Sequence, residues 1–495
     1  MKKLKKISLF IFLTCQLISV IAFEKPITVV VTAFNNAPWI EKCFDNIFAQ
    51  DYQNFNILCV DDGSTDGTAD VVERYRKKNN LENKITLIRN NQQQLKLYNL
   101  YNAYHSVPDN HIIVQHDGDD WFPDGKRDIF KKLNKKYIEE QVWFVYSEYQ
   151  FLDGTIIKSK RPSLEAMNSD NLRSHIDFSF THLRTFYAWL PKLVKLQDLL
   201  TDEIQGYIGK FYPQCDEGAL CFPMLEMAKH HVGFIPEVFY TFNTTNPLSG
   251  FKTAIGLQAS TQRETTLKKS YSILEKPIKN RLQQYDTACS DIIIFSNNPS
   301  SLQKTIDSLN GHASNIGTIY VVYKTDNLSL YDAIKAQYPG IYFLDFSENI
   351  TTEIKKYAWQ ILTDFLTDHV FIASDLCIIN QSFDANECIR LLEKTFAYGF
   401  YLCLDSNEYP FKDFKSTPCQ MIQKKVYGWK FKHGKKMWNT FNNSFMTLYR
   451  KKDILDQLYY QDGDSIQTMV ERWQSTTIDL EQAGIFFESA IACTL

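Results

Sequence analysis

Short apolar runs alternate with amphipathic stretches through the first half of the chain. The run Ile27-Thr-Val-Val-Val31 is almost wholly apolar, which is typical of a strand buried on both faces of a sheet. The next stretch, Pro38–Gln50, carries a proline in its first turn. Because Ile40, Phe44 and Ile47 recur along one stripe, this stretch is predicted to be an amphipathic helix.

The alternation continues to a fourth strand. Further strands are predicted at Asn56–Val60, Ile85–Ile88 and His111–Gln115. Helices are predicted at Thr68–Lys78 and over the glutamine-rich stretch before the last strand. This order predicts an α/β fold with a mostly parallel, doubly wound sheet, in which ligands bind at the carboxyl ends of the strands.

A second α/β pattern follows a charged helical stretch near residues 262–284. The segment Asp291–Pro299 repeats the pattern of Val29–Pro38, a strand that runs into Asn-Asn, and His369–Asp375 repeats that of His111–Asp117. This repetition predicts two tandem copies of one fold. The expected boundaries are a first domain at 24–260, a helical linker at 261–288 and a second domain at 289–495.

Composition narrows the range of functions. The chain has 495 residues, of which 44% are hydrophobic and 22% charged, as in folded proteins of two or three domains. The 54 Lys and Arg are balanced by 57 Asp and Glu, so no basic field exists to hold nucleic acid. We therefore expect no nucleic-acid partner.

The N-terminus carries a targeting pattern. A basic segment, Met1–Lys6, precedes an uncharged apolar stretch, Ile7–Phe23. Residues 1–23 are expected to act either as a cleaved signal peptide or as a retained anchor that associates the protein with a membrane. We expect an exported or membrane-associated protein, in a secretory lumen or a periplasm.

The densest chemical signal is the acidic turn Asp117-Gly-Asp-Asp120, which follows the fourth strand. Asp117 and Asp119 are two positions apart, so in an extended backbone their side chains project to the same side. Crowded carboxylates repel one another, and a hard cation such as Mn²⁺ or Mg²⁺ relieves the repulsion while it bridges to substrate phosphates. The alternative is a solvated acidic turn without a ligand.

Two other strand ends lie at the same predicted edge. The second strand ends in Asp61 and Asp62, and the first ends in the loop Thr32–Asn35. The predicted site is one for a nucleoside diphosphate with a metal. It would combine a backbone loop, a carboxylate that accepts from a base N–H or a ribose hydroxyl, and a metal-binding pair of acids. The alternative for the second turn is helix capping.

These motifs resemble the family 2 glycosyltransferases of the GT-A fold over about residues 25–250. The resemblance rests on Val29–Asn36, Ile57–Gly67 and Asp117–Asp120 in the family's order and spacing. It implies transfer of a sugar from a nucleoside-diphosphate sugar, usually with inversion, through a divalent cation held by Asp117 and Asp119. The candidate nucleotide-binding residues are Thr32, Ala33, Phe34, Asn35, Asp61, Asp62 and Arg184.

The resemblance also implies a carboxylate base about 100 residues after the Asp-x-Asp pair. That region contains Asp216 and Glu217, in the reverse of the family's usual order, so the choice between them stays open. We favour Asp216; the alternative is that both acids only favour a helix N-terminus. His182 and Arg184 are candidates for acceptor and phosphate contacts, or for structural contacts.

The second half lacks most of this chemistry. Its counterpart of the acidic turn is Ser374-Asp375-Leu376-Cys377, with one carboxylate where the first half has three. We expect a degenerate, non-catalytic module that holds the acceptor or a dimer interface. The aromatic and basic stretch Lys424–Lys436 is predicted either to contact a glycan, phosphate or anionic lipid, or to be a solvated hairpin.

The sequence thus predicts two tandem GT-A-like domains in a hexosyltransferase or related enzyme. Its partners would be a nucleotide sugar and a glycan, lipid or protein acceptor. One rival is a non-catalytic protein that binds a nucleotide sugar or glycan. The other is a nucleotidyltransferase, disfavoured because the loop Thr32–Asn36 has no glycine, arginine or lysine.

Overall fold

The computed structural model describes most of the chain after residue 23. It covers residues 24–160, 163, 166, 172–175, 182–214, 217–325, 329–345, 367–404, 417–459, 466–476 and 478–494. These residues divide into two compact units. The first comprises Met1–Pro191, Phe222–Thr253 and Ser270–Pro277, and the second comprises Lys192–Cys221, Ala254–Lys269 and Ile278–Leu495.

The predicted signal or anchor segment, residues 1–23, lies outside the described residues. Within the described part of the chain, no helix is both long enough and apolar enough to cross a membrane.

The strands of the first unit form one sheet. They are β1 (Ile27–Ala33), β2 (Phe55–Asp61), β3 (Ile85–Arg89), β4 (Ile112–Asp117), β5 (Phe144–Phe151), β6 (Ile156–Ile157), β7 (Arg184–Tyr187) and β8 (Val232–Phe242). Their order is β3-β2-β1-β4-β7-β5-β6, and β8 pairs with β5. The first four strands run parallel, as predicted, and β7 is antiparallel to both neighbours. All seven residues of β1 are buried, which explains its nearly continuous apolar sequence.

Helices connect these strands. They are α1 (Ile40–Phe48), α2 (Thr68–Lys78), α3 (Lys96–Ser106), α4 (Ile129–Glu139), α5 (Leu172–His175), α6 (Phe222–Ala228) and α7 (Gly250–Thr253). A helix, α3, precedes β4 as predicted, but the glutamines Gln92–Gln94 lie in the loop before it and not within it. The backbone N–H of Gln94 donates to Asp62, which holds this segment outside the helix.

The second unit contains a longer sheet. Its strands are β9 (Ser290–Ser296), β10 (Ala313–Ser314), β11 (Ile316–Tyr323), β12 (Tyr342–Asp345), β13 (His369–Ser374), β14 (Cys377–Ile379), β15 (Phe383–Asp384), β16 (Gly399–Tyr401), β17 (Gln420–Gln423), β18 (Val426–Lys430), β19 (Thr447–Arg450), β20 (Ala483–Phe487) and β21 (Ala492–Thr494). The main order is β12-β11-β9-β13-β19-β16-β20-β18-β17, and β10 with β15 and β14 with β21 form separate pairs.

The two sheets share one topology, which confirms the predicted repeat of the fold. In each, a parallel segment of four strands (β3-β2-β1-β4 and β12-β11-β9-β13) is followed by an antiparallel strand. In the first unit this antiparallel strand, β7, pairs with β5, which is antiparallel to β7 and parallel to β8. In the second unit the antiparallel strand, β19, pairs with β16, which is antiparallel to β19 and parallel to β20. Both units are therefore α/β with large, mostly parallel sheets.

The helices of the second unit are α8 (Ile255–Leu267), α9 (Pro299–His312), α10 (Ser329–Gln337), α11 (Ala385–Thr395), α12 (Lys451–Tyr459) and α13 (Ile466–Ser475). The predicted linker, 261–288, begins inside α8. Glu264 of this helix is buried and accepts hydrogen bonds from Thr201 Oγ1 at 2.6 Å and from Tyr212 Oη at 2.9 Å. The charged start of the predicted linker is thus packed against the segment Lys192–Cys221.

Part of the basic stretch at 424–436 belongs to an internal charge cluster, whereas its residues Lys424, Lys425 and Lys435 are exposed. Asp202 accepts ion pairs from Lys268 at 2.9 Å, Lys430 at 2.7 Å and Lys432 at 2.8 Å, and lies 3.0 Å from His433. Lys430 is 1% exposed, and burial, with the nearby Lys268 charge, lowers its pKa to about 8. Lys430, Lys432 and His433 therefore pair with the internal acid Asp202. For these three side chains, neither a ligand-binding surface nor a solvated hairpin describes their environment.

Candidate active site

Three strand ends of the first unit meet at one edge of its sheet. Ala33 pairs in register with Asp61, and Thr32 pairs with Asp117. The carboxyl ends of β1, β2 and β4 therefore bring together the residues that the sequence predicted as one site. This is the edge at which parallel α/β sheets bind their ligands.

Asp61 is a buried carboxylate with unused hydrogen-bonding capacity. It is 3% exposed, and its Oδ2 accepts from the backbone N–H of Ser64 at 3.3 Å. Its Oδ1 is buried and has no hydrogen-bond partner among the described residues. Burial raises the pKa of this carboxyl above its usual range, against the hydrogen bonds from Ser64. Leaving a buried acceptor unpaired is costly, so a ligand that donates to Oδ1 gains affinity.

The loop after β1 is tied to the turn after β2. The backbone N–H of Asn35 donates to Ser64 Oγ at 2.8 Å, and Asn35 Oδ1 accepts from Thr65 N at 2.8 Å. Asn35 has a φ of +53°, a left-handed conformation that asparagine tolerates better than most residues. Phe34 N donates to Asn36 Oδ1 at 3.1 Å. These contacts hold the predicted nucleotide loop in one conformation.

Asp62 has a different environment from Asp61. Its Oδ1 accepts from Asn90 Nδ2 and from Gln94 N, both at 2.8 Å, and its Oδ2 accepts from Leu95 N at 2.9 Å. Adjacent residues at a strand end project to opposite sides, so the two neighbouring acids have separate roles. Asp62 shapes the loop before α3.

Asp117 is paired with a lysine that no sequence motif indicates. Lys96 Nζ lies 2.8 Å from Asp117 Oδ1 and 3.0 Å from Oδ2, and Thr32 Oγ1 donates to Oδ1 at 3.2 Å. Burial on its own would raise the pKa of Asp117, but the Lys96 ammonium holds it well below its usual range. Asp117 is therefore ionised and already neutralised by a cation of the protein.

Asp119 is the less saturated of the two carboxylates. Its Oδ2 accepts from Asn246 Nδ2 at 2.7 Å, and the residue is partly exposed. Burial, and then the charge of Asp117, raise its pKa above the usual value. This repulsion between the two acids is the condition that a divalent cation relieves.

The third acid of the turn is structural. Asp120 is 1% exposed, and its oxygens accept from Tyr240 Oη at 2.7 Å and from the backbone N–H of Asn243 at 2.7 Å. These bonds fix the end of β8 and the residues that follow it, and this places Asn246 against Asp119. The His182 ring stacks on Tyr240 with centroids 4.5 Å apart, so this histidine lies beside the same acids.

Arg184 lies on β7, opposite Gln115 of β4. Its side chain is 2% exposed, and its positive charge contributes to the lowered pKa of Asp117. The structure thus places the predicted phosphate-binding arginine within the first unit, buried beside the acidic turn.

The donor set suits a cation that shares its ligands with a substrate. In the part of the chain that the structure describes, no group of three or more His, Cys, Asp or Glu side chains is arranged to hold a metal ion. Mg²⁺ and similar ions are commonly bound by one or two carboxylates together with substrate phosphates. Asp119, with Asp117 beside it, fits that mode of binding.

The candidate base is not described in full. Asp216 lies outside the described residues, and Glu217 is described only through its backbone, as the first residue of the π-helical turn Glu217–Cys221. The assignment of the base to Asp216 or Glu217 stays a prediction.

The second unit has other residues at the equivalent positions. The bond from Gly118 N to Thr32 O recurs as Asp375 N to Phe295 O, each 2.9 Å long. This register places Ser374 and Leu376 where the first unit has Asp117 and Asp119. Asp375 Oδ2 instead accepts from Asn297 N and Asn298 N, both at 2.7 Å, and from Ser296 Oγ. Its carboxylate closes a backbone turn.

Replacing Lys96 with methionine is expected to strengthen Mn²⁺ binding in the absence of nucleotide about tenfold. Lys96 competes with a cation for both oxygens of Asp117, and its removal leaves Asp117 without its ion-pair partner beside Asp119. Isothermal titration of the protein with MnCl₂ measures the change. Lys77→Met, which removes an exposed lysine of α2, is the control. Equal Mn²⁺ affinities in all three proteins would contradict this role of Lys96.

Residues 28–186 match the family described as Glycosyl transferase family 2. This segment runs from β1 to β7 and includes Thr32, Asp61, Asp117, Asp119 and Arg184. It ends before the candidate base region.

Two characterised relatives are similar over short segments. A dolichyl N-acetyl-alpha-D-glucosaminyl phosphate 3-beta-D-2,3-diacetamido-2,3-dideoxy-beta-D-glucuronosyltransferase of Methanococcus voltae is 44% identical over 59 residues, 12% of this chain and 18% of the relative. Glycosyltransferase GlyA of Streptococcus pneumoniae is 28% identical over 126 residues, 26% of this chain and 17% of the relative. The chain thus spans less than a fifth of the curated relatives it matches.

Solved structures are similar over about half of the chain. S. aureus TarS 1-349 gives a TM-score of 0.35 at 16% identity, and covers 44% of this chain and 60% of that one. The mannosyltransferase PcManGT of Pyrobaculum calidifontis, in complex with GDP-Man and Mn²⁺, gives a TM-score of 0.33 at 21% identity, and covers 49% and 63%.

Proposed function

We propose that this chain, whose residues 28–186 match glycosyltransferase family 2, transfers a sugar from a nucleoside-diphosphate sugar to an acceptor hydroxyl. The observation that carries the proposal is the meeting of Asp61, Asp117 and Asp119 at the carboxyl edge of the first sheet. A nucleoside diphosphate presents the N–H and hydroxyl donors of its base and ribose at one end and a negatively charged diphosphate at the other. One carboxylate with a free oxygen and a separate acidic pair match those two ends.

Donor recognition is assigned to Asp61 and the loop Thr32–Asn35. The unpaired Asp61 Oδ1 accepts a hydrogen bond from a base N–H or a ribose hydroxyl. Because the loop is tied to Ser64 and Thr65, its backbone is already ordered before the nucleotide arrives. Less conformational entropy is then lost on binding.

The diphosphate end is assigned to Asp119, with Asp117, and to a divalent cation. Bound there, Mn²⁺ or Mg²⁺ supplies positive charge for the departing nucleoside diphosphate. Asn246 orients the Asp119 carboxylate, and Asp120 holds Asn246 in place through Asn243 and Tyr240. Lys96 keeps Asp117 ionised and adds a second cation beside the phosphates.

Transfer needs a base for the acceptor hydroxyl, and the proposal assigns it to Asp216 or Glu217. A single displacement with one base inverts the configuration at the anomeric carbon, so the product is expected to be inverted. The name of the Methanococcus voltae relative, a glucuronosyltransferase for a dolichyl-linked sugar phosphate, supports a glycan or a lipid-linked glycan as acceptor.

The second unit and the N-terminus complete the proposal. The second unit is assigned a non-catalytic role, supported by Ser374 and Leu376 at the positions of the acidic pair. Export or membrane association through residues 1–23 is supported by their basic and apolar pattern.

Binding of UDP and GDP tests donor recognition. With Mn²⁺ present, one of the two is expected to raise the thermal midpoint of residues 24–495, because a ligand that binds only the native state stabilises it. Asp61→Asn is expected to weaken that nucleotide about tenfold or more through the loss of a charge-assisted hydrogen bond. Asp70→Asn, an exposed acid of α2, is the control and leaves the affinity unchanged. If neither UDP nor GDP changed the thermal midpoint, the proposed nucleoside-diphosphate donor would be contradicted.

A further inference from the structure

A cavity of about 340 Å³ lies within the second unit. Its lining includes Phe396 and Tyr398 after α11, Arg450 at the end of β19 and Lys452 at the start of α12. Arg450 pairs in the sheet with His369, the first residue of β13, whereas the counterpart of the acidic turn follows Ser374 at the other end of that strand. The cavity therefore lies at the opposite end of β13 from the counterpart of the acidic turn. Its volume falls in the range of small-ligand pockets.

The charge of the lining is positive although the chain has a net charge of −3. Lys195, Arg450 and Lys452 contribute three positive charges and Asp453 one negative charge. Arg450 is ion-paired with Glu393 at 2.5 Å and with Asp453 at 3.3 Å, and it also donates to the carbonyls of Ala397 and Leu392. The excess positive charge of the lining therefore comes from Lys195 and Lys452. A cavity of this charge favours an anionic ligand.

Two glutamines, Gln197 and Gln482, also line the cavity. Each amide offers two donor hydrogens and an acceptor oxygen, which matches the mixed donor and acceptor character of sugar hydroxyls. Inorganic phosphate carries only one or two hydroxyls near neutral pH, so it offers fewer donors to such acceptors than a sugar does.

Phe396 is in an uncommon backbone conformation for an aromatic residue. It ends α11 with a φ of +56°, in the left-handed region where glycine or asparagine usually stands. The guanidinium of Arg281 lies 4.1 Å from its ring centroid, so the ring is held at the cavity wall. Conformations of this kind concentrate at ligand sites, and an aromatic wall suits the apolar face of a pyranose ring.

We propose that this cavity binds an anionic sugar, a pyranose that carries a carboxylate or a phosphate. The anion pairs with Lys452 and Lys195, the hydroxyls bond to Gln197 and Gln482, and the ring packs against Phe396. The proposal concerns binding alone and does not depend on transferase activity of the first unit.

Titration calorimetry of residues 24–495 with glucuronate, glucose 6-phosphate, glucose and inorganic phosphate tests the proposal. At least one of the two anionic sugars is expected to bind with a Kd about tenfold or more below the Kd values of glucose and phosphate. An anionic sugar makes both the charge contact and the hydroxyl contacts, whereas glucose lacks the charge and phosphate lacks the sugar hydroxyls. Glucuronate and glucose 6-phosphate separate a carboxylate ligand from a phosphate ligand. Equal affinities for all four probes, or no binding of either anionic sugar, would overturn the proposal.

Variants locate the site. Lys452→Gln and Phe396→Gly are each expected to weaken the anionic sugar about fivefold or more, whereas Lys304→Gln, an exposed lysine of α9, leaves it unchanged. Glycine tolerates the backbone of residue 396, so this variant is expected to fold. Should it unfold, Lys452→Gln alone decides. Asp119→Asn is expected to bind the anionic sugar normally; loss of binding there would assign the sugar to the donor site and overturn the proposal.

Discussion

Replacing Asp119 with asparagine is expected to lower kcat/KM for sugar transfer by about two to four orders of magnitude, the range that corresponds to several kcal/mol of lost cation stabilisation. Asparagine keeps the shape of the side chain and an oxygen for the bond from Asn246. It removes the charge that binds a divalent cation beside Asp117. The initial rate of nucleoside-diphosphate release measures the effect.

Asp124→Asn is the matched control for this prediction. Asp124 follows the same acidic turn, but its side chain is exposed, so removal of its charge should leave the rate within about twofold. Removing Mn²⁺ with EDTA should reduce the wild-type rate much more than that of Asp119→Asn. A rate for Asp119→Asn within fivefold of wild type, or equal losses in the two variants, would show that this carboxylate does not hold the cation.

Replacing Glu226 with glutamine is expected to destabilise the protein by about 3–5 kcal/mol, because it leaves a buried arginine without a counter-charge. Glu226 of α6 and Arg173 of α5 are each 2% exposed and form a two-bond ion pair of 2.7 and 2.8 Å. Glu226 also accepts from the backbone N–H of Tyr271. Urea denaturation monitored by circular dichroism measures the loss as a lower midpoint.

Two comparisons make this result specific. Glu139→Gln breaks an exposed ion pair with Lys135 and is expected to cost less than about 1 kcal/mol. The double variant Arg173→Met, Glu226→Leu should be more stable than Glu226→Gln, because no unpaired charge stays buried. A single variant as stable as wild type would mean that the pair contributes nothing to folding.

The sequence predicts the strands and their acidic ends well. Strands β1, β2 and β4 are buried on both faces, so their sequences are nearly continuous apolar runs that end where polar residues reach the ligand edge. The repeat of the fold is predictable for the same reason, since β9 and β13 follow the same pattern.

The sequence does not reveal contacts that depend on tertiary structure. Asp61 and Asp62 are identical neighbours, and only their hydrogen bonds separate an acid with a free oxygen from an acid that shapes a loop. Lys96 lies in a polar stretch whose loop geometry brings it to Asp117. Lys430 looks like part of a basic surface because its partner, Asp202, is 228 positions away.

Sugar transfer by the first unit from a nucleoside-diphosphate donor is tested most directly by a transfer assay. Residues 24–495 are incubated with Mn²⁺, UDP- or GDP-sugars and a panel of glycan and lipid-linked acceptors, and the products are analysed by NMR. We predict release of nucleoside diphosphate from one donor and a product of inverted anomeric configuration. Tight binding of a nucleotide sugar with neither transfer nor hydrolysis for any donor and acceptor would contradict the account, and would identify the protein as a non-catalytic binder of nucleotide sugars.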